Sequence, residues 1–218
     1  REAPERRHAS SAGPGPGVRK CAQPVPIDPG VTAMALLHTP AASLGAEAPA
    51  FVLPGTDGRV HTRDGCRGPN GLLVMFICNH CPYVQAIRER LVVDARELIA
   101  AGVGVVAISS NDARDYPEDG PEAMREVARQ HGFPFPYLHD ATQAVARAYG
   151  AVCTPDFFGY NTRLQLRYRG RLDAAHRGPR EPGMRRELVE AMLEVGSRGD
   201  TAVPQVPSMG CSIKWRRE

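Results

Sequence analysis

Cys78-Asn79-His80-Cys81 sets two thiols three residues apart, with Pro82 directly behind them. That spacing suits thiol–disulfide exchange. A thiolate attacks, and a second cysteine one turn away resolves the mixed disulfide that the first one forms. Such chemistry needs a place that favours negative sulfur. A helix N-terminus provides one, because its free N–H groups and its dipole stabilise an anion. Cys78 is the expected nucleophile and Cys81 the expected resolving thiol. Asn79 and His80 lie between them, and polar or cationic residues there favour the thiolate and a more oxidising couple.

The elements that must hold this pair lie on either side of it. Leu72–Ile77 is an unbroken apolar run, the pattern of a buried strand. From Pro82 to about Ala101, Val84, Ile87, Leu91, Val92, Ala95, Leu98 and Ile99 recur at helical spacing, and Gly102 ends the run. Pro82 has no N–H to give, which a first helical turn tolerates. Residues 50–53 and 60–62 read as a hairpin around Asp57-Gly58. A buried strand over 103–108 runs into the polar loop Ser109–Asp112. The cluster Tyr116–Pro121 opens a helix to about Gln130. A strand over 135–139, a short helix over 142–149 capped by Asp140, a hairpin over 156–161 and 164–169, and a helix over 184–195 complete the order. This alternation predicts an α/β fold, a central mixed sheet with helices on both faces.

Composition narrows the function. A chain of 218 residues, 42% of them hydrophobic, has room for one ordinary domain plus tails. The net charge is +3 and the basic residues are scattered, so a nucleic-acid partner is not expected. No apolar stretch approaches the ~20 residues of a membrane span. Cys21, Cys66, Cys78, Cys81, Cys153 and Cys211 make one tight pair plus singles, which suits a cytoplasmic protein better than a disulfide scaffold. Residues 1–33 are rich in proline and glycine and lack the apolar core of a secretory leader. They read as a disordered extension or a mis-called start ahead of Met34. The domain then covers 34–199. The tail, 200–218, carries Val203, Val206, Met209, Ile213 and Trp215, too many apolar groups for disorder. It is expected to pack on the domain, or on a partner subunit as part of a homodimer.

Four segments carry a family likeness: Met75–Val84, Ala107–Asn111, Phe133–Leu138 and Tyr149–Phe158. With Ser208–Trp215 they resemble the peroxiredoxin-like, or redoxin, branch of the thioredoxin superfamily, from about residue 34 to the end. The resemblance implies a thioredoxin-like fold with a disulfide redox centre. It does not supply a substrate; the dithiol reading itself expects a protein or small-molecule disulfide as substrate, a cellular thiol as reductant and no cofactor. The resemblance also puts a cis Thr154–Pro155 bond opposite the dithiol, where Pro155 shapes a free backbone edge that can pair with a substrate strand. One departure is Asn161-Thr-Arg-Leu164, which lacks the Asp-x-x-Gly of similar proteins. Another concerns peroxidase chemistry. The peroxiredoxin pattern P-x-x-x-T-x-x-C has Gly71 and Met75 at its Pro and Thr positions for Cys78, and Val74 and Cys78 for Cys81, so the hydroxyl that orients peroxide is missing and the resemblance to peroxiredoxins is expected to stop at the fold.

Other residues keep two readings. Cys153 is either a third redox thiol or a packed one. Cys211 is a resolving cysteine, a dimer anchor or an inert thiol. Cys66 and Cys21 are expected to be inert. Cys78, His80, Cys81 and Cys153 could bind metal, but structural zinc sites use two spaced ligand pairs and only one is present, so no metal is expected. Asp156 and Asn111 fall at strand ends beside the site, with capping roles the commoner outcome. His61, His131, His139 and His176 show no pairing pattern. A thiol–disulfide oxidoreductase is the leading function. A thiol peroxidase and a non-catalytic redox-sensing or metal-binding module are the alternatives.

Overall fold

One strand, all five of its residues fully buried, organises the structure, a computed structural model that describes residues 36–217. In chain order the elements are β1 (Leu36–His38), β2 (Val52–Pro54), β3 (Val60–Thr62), α1 (Arg63–Cys66), β4 (Leu72–Phe76), α2 (Pro82–Ala100), β5 (Gly104–Ser109), α3 (Pro121–Gln130), β6 (Tyr137–His139), α4 (Ala144–Tyr149), β7 (Cys153–Thr154), β8 (Asp156–Tyr160), β9 (Leu166–Gly170), α5 (Glu187–Arg198) and β10 (Met209–Ser212). In β4, Leu73 and Met75 point into one core, with Leu91 and Leu98 of α2 and Leu188 and Met192 of α5. Leu72, Val74 and Phe76 point into the other, with Ala146 and Tyr149 of α4. A strand's period of two thus becomes two cores, one on each face.

The main sheet runs β6-β5-β4-β8-β9. The first three strands are parallel, and β8 and β9 are antiparallel to their neighbours, so the sheet is mixed. β6 is shorter than the apolar pattern suggests, because Pro136 has no N–H for a ladder. The last helix starts at Glu187 rather than Met184. Met184 N–H closes a turn on Glu181 O, and Arg186, at φ −96° and ψ 71°, is still non-helical, so the helix opens only after it. In the 161–164 turn, Asn161 Oδ1 accepts the N–H groups of Arg163 and Gln165, each at 3.0 Å. Leu164 takes the left-handed conformation, φ +57°, that a glycine would adopt without strain.

The C-terminal segment forms part of the domain. β10 lies antiparallel between β1 and β7, with Cys211 opposite Leu36 on one side and Thr154 on the other. Its neighbours hold it at both ends. Ser208 and Thr39 exchange hydrogen bonds, and the Lys214 backbone bonds Asp112 and Asn111. Trp215 rests half-buried on the second core, with the Arg147 guanidinium 4.5 Å from its ring centroid. Gly210 permits the close approach, since a Cβ there would lie 1.9 Å from Thr154 O. Gly210→Val is expected to force β10 off β7 and cost about 1–3 kcal/mol. Urea unfolding with amide exchange at residues 209–212 checks it, and unchanged protection there would refute it.

Candidate active site

β4 and β5 are parallel, so their carboxyl ends open on the same edge of the sheet, where ligand sites of such sheets form. The chain leaving β4 carries Cys78–Cys81, and the chain leaving β5 carries residues 110–120. Both thiols are buried, Cys78 1% and Cys81 0% exposed. Thr154 touches both of them. Its Oγ1 is 3.3 Å from Cys78 Sγ, and its carbonyl oxygen is 3.2 Å from Cys81 Sγ. The Thr154–Pro155 bond is cis. The edge expected to be free beside Pro155 is occupied, because both residues of β7 pair with β10.

The helix begins at Pro82, with Cys81 as its cap residue. Proline belongs at the first helical position, so the helix cannot start earlier. Cys81, not Cys78, therefore holds the place expected for the first sulfur. Charge follows this geometry. Cys78 donates its S–H to Cys81, is buried and faces Asp119, and together these hold it well above the usual thiol range. Cys81 accepts the S–H groups of Cys78 and Cys211 and the N–H groups of Val84 and Cys211. Against its burial, these donors draw it down to about 5. Thr154 O, which can only accept, takes the Cys81 S–H in the protonated state of that thiol.

Asp119, in the 3-10 turn Pro117–Asp119, organises the loop between the cysteines and is itself fully buried. Its Oδ1 accepts from Asn79 N at 2.7 Å and His80 N at 3.3 Å. Its Oδ2 accepts from His80 Nδ1 at 2.5 Å and Asn111 Nδ2 at 2.8 Å. Burial alone would push the Asp119 carboxyl up, but these donors outweigh it and hold it below the usual range. The same bond to Asp119 raises His80. The His80 ring stacks on Tyr116, centroids 5.1 Å apart. Its Nε2 is buried and has no partner among the described residues. A His80 nitrogen, Cys78 Sγ and an Asp119 oxygen lie within 4.8 Å of one another. Asp119 escapes a reading of the sequence because it sits in a proline-rich helix start. The signal available was its position, on the loop that leaves a strand parallel to β4.

Residues 44–174 match the profile of the AhpC/TSA family, well over half of the chain. The chain belongs to the AhpC/TSA family. Its structure is similar to that of an uncharacterized conserved protein from Geobacillus kaustophilus. The two are 42% identical, the match covers 85% of this chain and 99% of that one, and the TM-score is 0.80. A hypothetical protein from Sinorhizobium meliloti is 41% identical over 83% of this chain and 99% of its own, TM-score 0.77. A protein disulfide isomerase candidate from Bacteroides thetaiotaomicron shares the fold alone, at 15% identity and TM-score 0.57 over 76% of this chain and 96% of that one. No curated protein matches the chain. This AhpC/TSA protein has the thioredoxin-like fold and is a redoxin of the thioredoxin superfamily. Its family carries a thioredoxin-like redox function.

The remaining candidates in this AhpC/TSA chain separate clearly. Cys211 lies against Cys81, and its thiol is pushed up to about 12 by burial and by donating to that sulfur. Cys153 is fully buried, with Sγ 3.9 Å from Pro155 O, and burial pushes its thiol up. Cys66 ends α1 and burial raises it to about 11. Asp156 is buried against Arg169, 2.8 Å away, and burial raises its carboxyl to about 6 despite that partner. Asn111 bridges Asp119 and Lys214 N. His61 pairs with Asp57 and His131 with Arg88, while His176 lines a cleft beside Pro155. In the grouping of Cys78, His80 and Asp119, both Asp119 oxygens accept from donors of the chain and His80 is held by Nδ1, which leaves Cys78 Sγ and His80 Nε2 as the free ligand atoms. Among the described residues no helix is long and apolar enough to cross a membrane.

Proposed function

We propose that this AhpC/TSA protein is a thiol–disulfide oxidoreductase that works through Cys78 and Cys81 in a reducing, cytoplasmic setting. The observation that carries the reading is the buried pair of free thiols, both in contact with Thr154, with the His80–Asp119 couple beside them. Cys81 is walled in by Cys211, the Val84 N–H and Thr154 O. Cys78 is therefore the sulfur that meets substrate. A proton shift along the S–H···S bond makes Cys78 the thiolate. It attacks one sulfur of a substrate disulfide, whose S–S bond breaks. The departing thiolate takes a proton from His80, whose charged form the bond to Asp119 favours. Cys81 then attacks Cys78, closing the Cys78–Cys81 disulfide and releasing the second substrate thiol. A cellular thiol returns two electrons and restores the dithiol.

Burial of both sulfurs supports a second reading, a thiol peroxidase, since a peroxide is small enough to reach a covered thiol. The hydroxyl missing from the sequence pattern around Cys78 has a counterpart across the fold in Thr154 Oγ1, 3.3 Å from that sulfur. One paired assay separates the two. The oxidoreductase is expected to speed the reduction of insulin disulfides by dithiothreitol and to leave peroxide consumption near the uncatalysed rate. The reverse pattern would overturn the first reading in favour of the second.

A further inference from the structure

The C-terminal strand brings a third sulfur to the dithiol. We propose that Cys211 is a redox thiol of the same site, exchanging with the Cys78–Cys81 disulfide to give a Cys81–Cys211 disulfide and a free Cys78. This rests on the oxidoreductase reading and extends it from two sulfurs to three.

Placement carries the inference. Cys211 is 3% exposed and sits in the middle strand of a three-stranded sheet, directly opposite Thr154, the residue that touches both active-site sulfurs. Cys81 Sγ lies 3.2 Å from the carbonyl of that same Thr154, and Cys81 and Cys211 belong to one buried core. Gly210 lets the strand approach Thr154 closely, and the bonds at Ser208 and Lys214 fix both ends of the segment. The thiol is therefore held against Cys81. Cys153, equally buried, does not share this geometry, because its sulfur is turned to Pro155 O.

The step balances without an external oxidant. Cys211 sulfur attacks Cys81 sulfur in the Cys78–Cys81 disulfide. The Cys81–Cys211 bond forms, the Cys78–Cys81 bond breaks, and its electron pair leaves on Cys78, which takes up the proton Cys211 gives up. One disulfide and one thiol enter, and one disulfide and one thiol leave. The consequence is functional. The oxidising equivalents move inward, under β10, and Cys78 returns to the thiol state while the protein is still oxidised.

The test uses the full chain. The reduced protein is oxidised with limiting oxidised glutathione, alkylated, digested with trypsin without reduction, and mapped by mass spectrometry. Cys78 and Cys81 share the tryptic peptide 68–88, and Cys211 lies on 199–214. The expected main product is a cross-link between these two peptides with the alkyl group on Cys78. In Cys211→Ala the cross-link is expected to vanish and 68–88 to close on itself. A wild-type product that is only the closed 68–88 peptide, with Cys211 alkylated, overturns the relay and leaves the dithiol reading standing. A cross-link with the alkyl group on Cys81 also overturns it. Absence of any disulfide among the three overturns both.

Discussion

Cys81→Ser is expected to stall as a mixed disulfide through Cys78, and Cys78→Ser to lose disulfide reductase activity by on the order of a thousandfold or more. The asymmetry follows from where the sulfurs lie. Cys81 is hemmed in by Cys211, Thr154 O and the first turn of α2, so substrate sulfur arrives at Cys78. With serine at position 81, nothing remains beside Cys78 to attack the new bond. Cys211 does not replace it, because its hydrogen bond is to Cys81. After exposure to oxidised glutathione, intact-mass measurement should show one glutathione added to Cys81→Ser, removed by dithiothreitol. The wild type should show none at steady state. Full turnover by Cys81→Ser, or a stable adduct on Cys78→Ser at the wild-type rate, would reverse the assignment of the two roles. The reaction of the wild-type pair with an alkylating agent should rise with pH through about 5 and level off above it, following the Cys81 thiol that its donors hold down.

The dithiol and its two supporting elements were legible because each is a local pattern. A five-residue apolar run makes β4, and a 3.6-residue period makes α2. Their junction needs no knowledge of the rest of the chain. Pro82 even dictates the helix start, and with it the exchange of places between Cys78 and Cys81 at the helix end. Asp119 was not legible in this way. It comes to His80 across 39 residues, through the pairing of β5 with β4, and nothing in Tyr116–Pro121 marks it as more than a helix opening. Strands β1, β7 and β10 are two to four residues long, too short for a period of two to show. Cys211 could therefore be noticed as a cysteine in an apolar tail, but its register opposite Thr154 is a property of the folded sheet. The segment assigned to residues 1–33 lies outside the described residues.

Asp119→Ala is expected to destabilise the fold by about 3–5 kcal/mol, the cost of stripping a buried charge from its partners. Four donors lose their acceptor at once: the N–H groups of Asn79 and His80, His80 Nδ1–H and Asn111 Nδ2–H. Two of them shape the chain between the cysteines, so the dithiol geometry suffers along with stability. The loss should depend on pH in a defined direction. Asp119 is held below its ordinary value, so its contribution is present above about pH 3.9 and fades as pH falls through the folded value. His80 is raised, so its contribution is complete below about pH 6.5 and fades as pH rises through the folded value. The gap between wild type and Asp119→Asn, which keeps the shape and removes the charge, should be widest between about pH 4 and 6.5. It should narrow on the alkaline side once the imidazole is neutral. Urea unfolding of both proteins across that range gives the gap directly, and NMR titration of His80 gives the cause. In Asp119→Asn the imidazole should titrate lower than in the wild type, since burial then acts against its charged form with only the more distant Glu118 carboxylate, 3.9 Å from His80 Nδ1, to offset it. If the His80 titration is the same in both proteins, the couple does not sustain the imidazolium. The role given to Asp119 in supplying the proton to the departing thiolate would then fall.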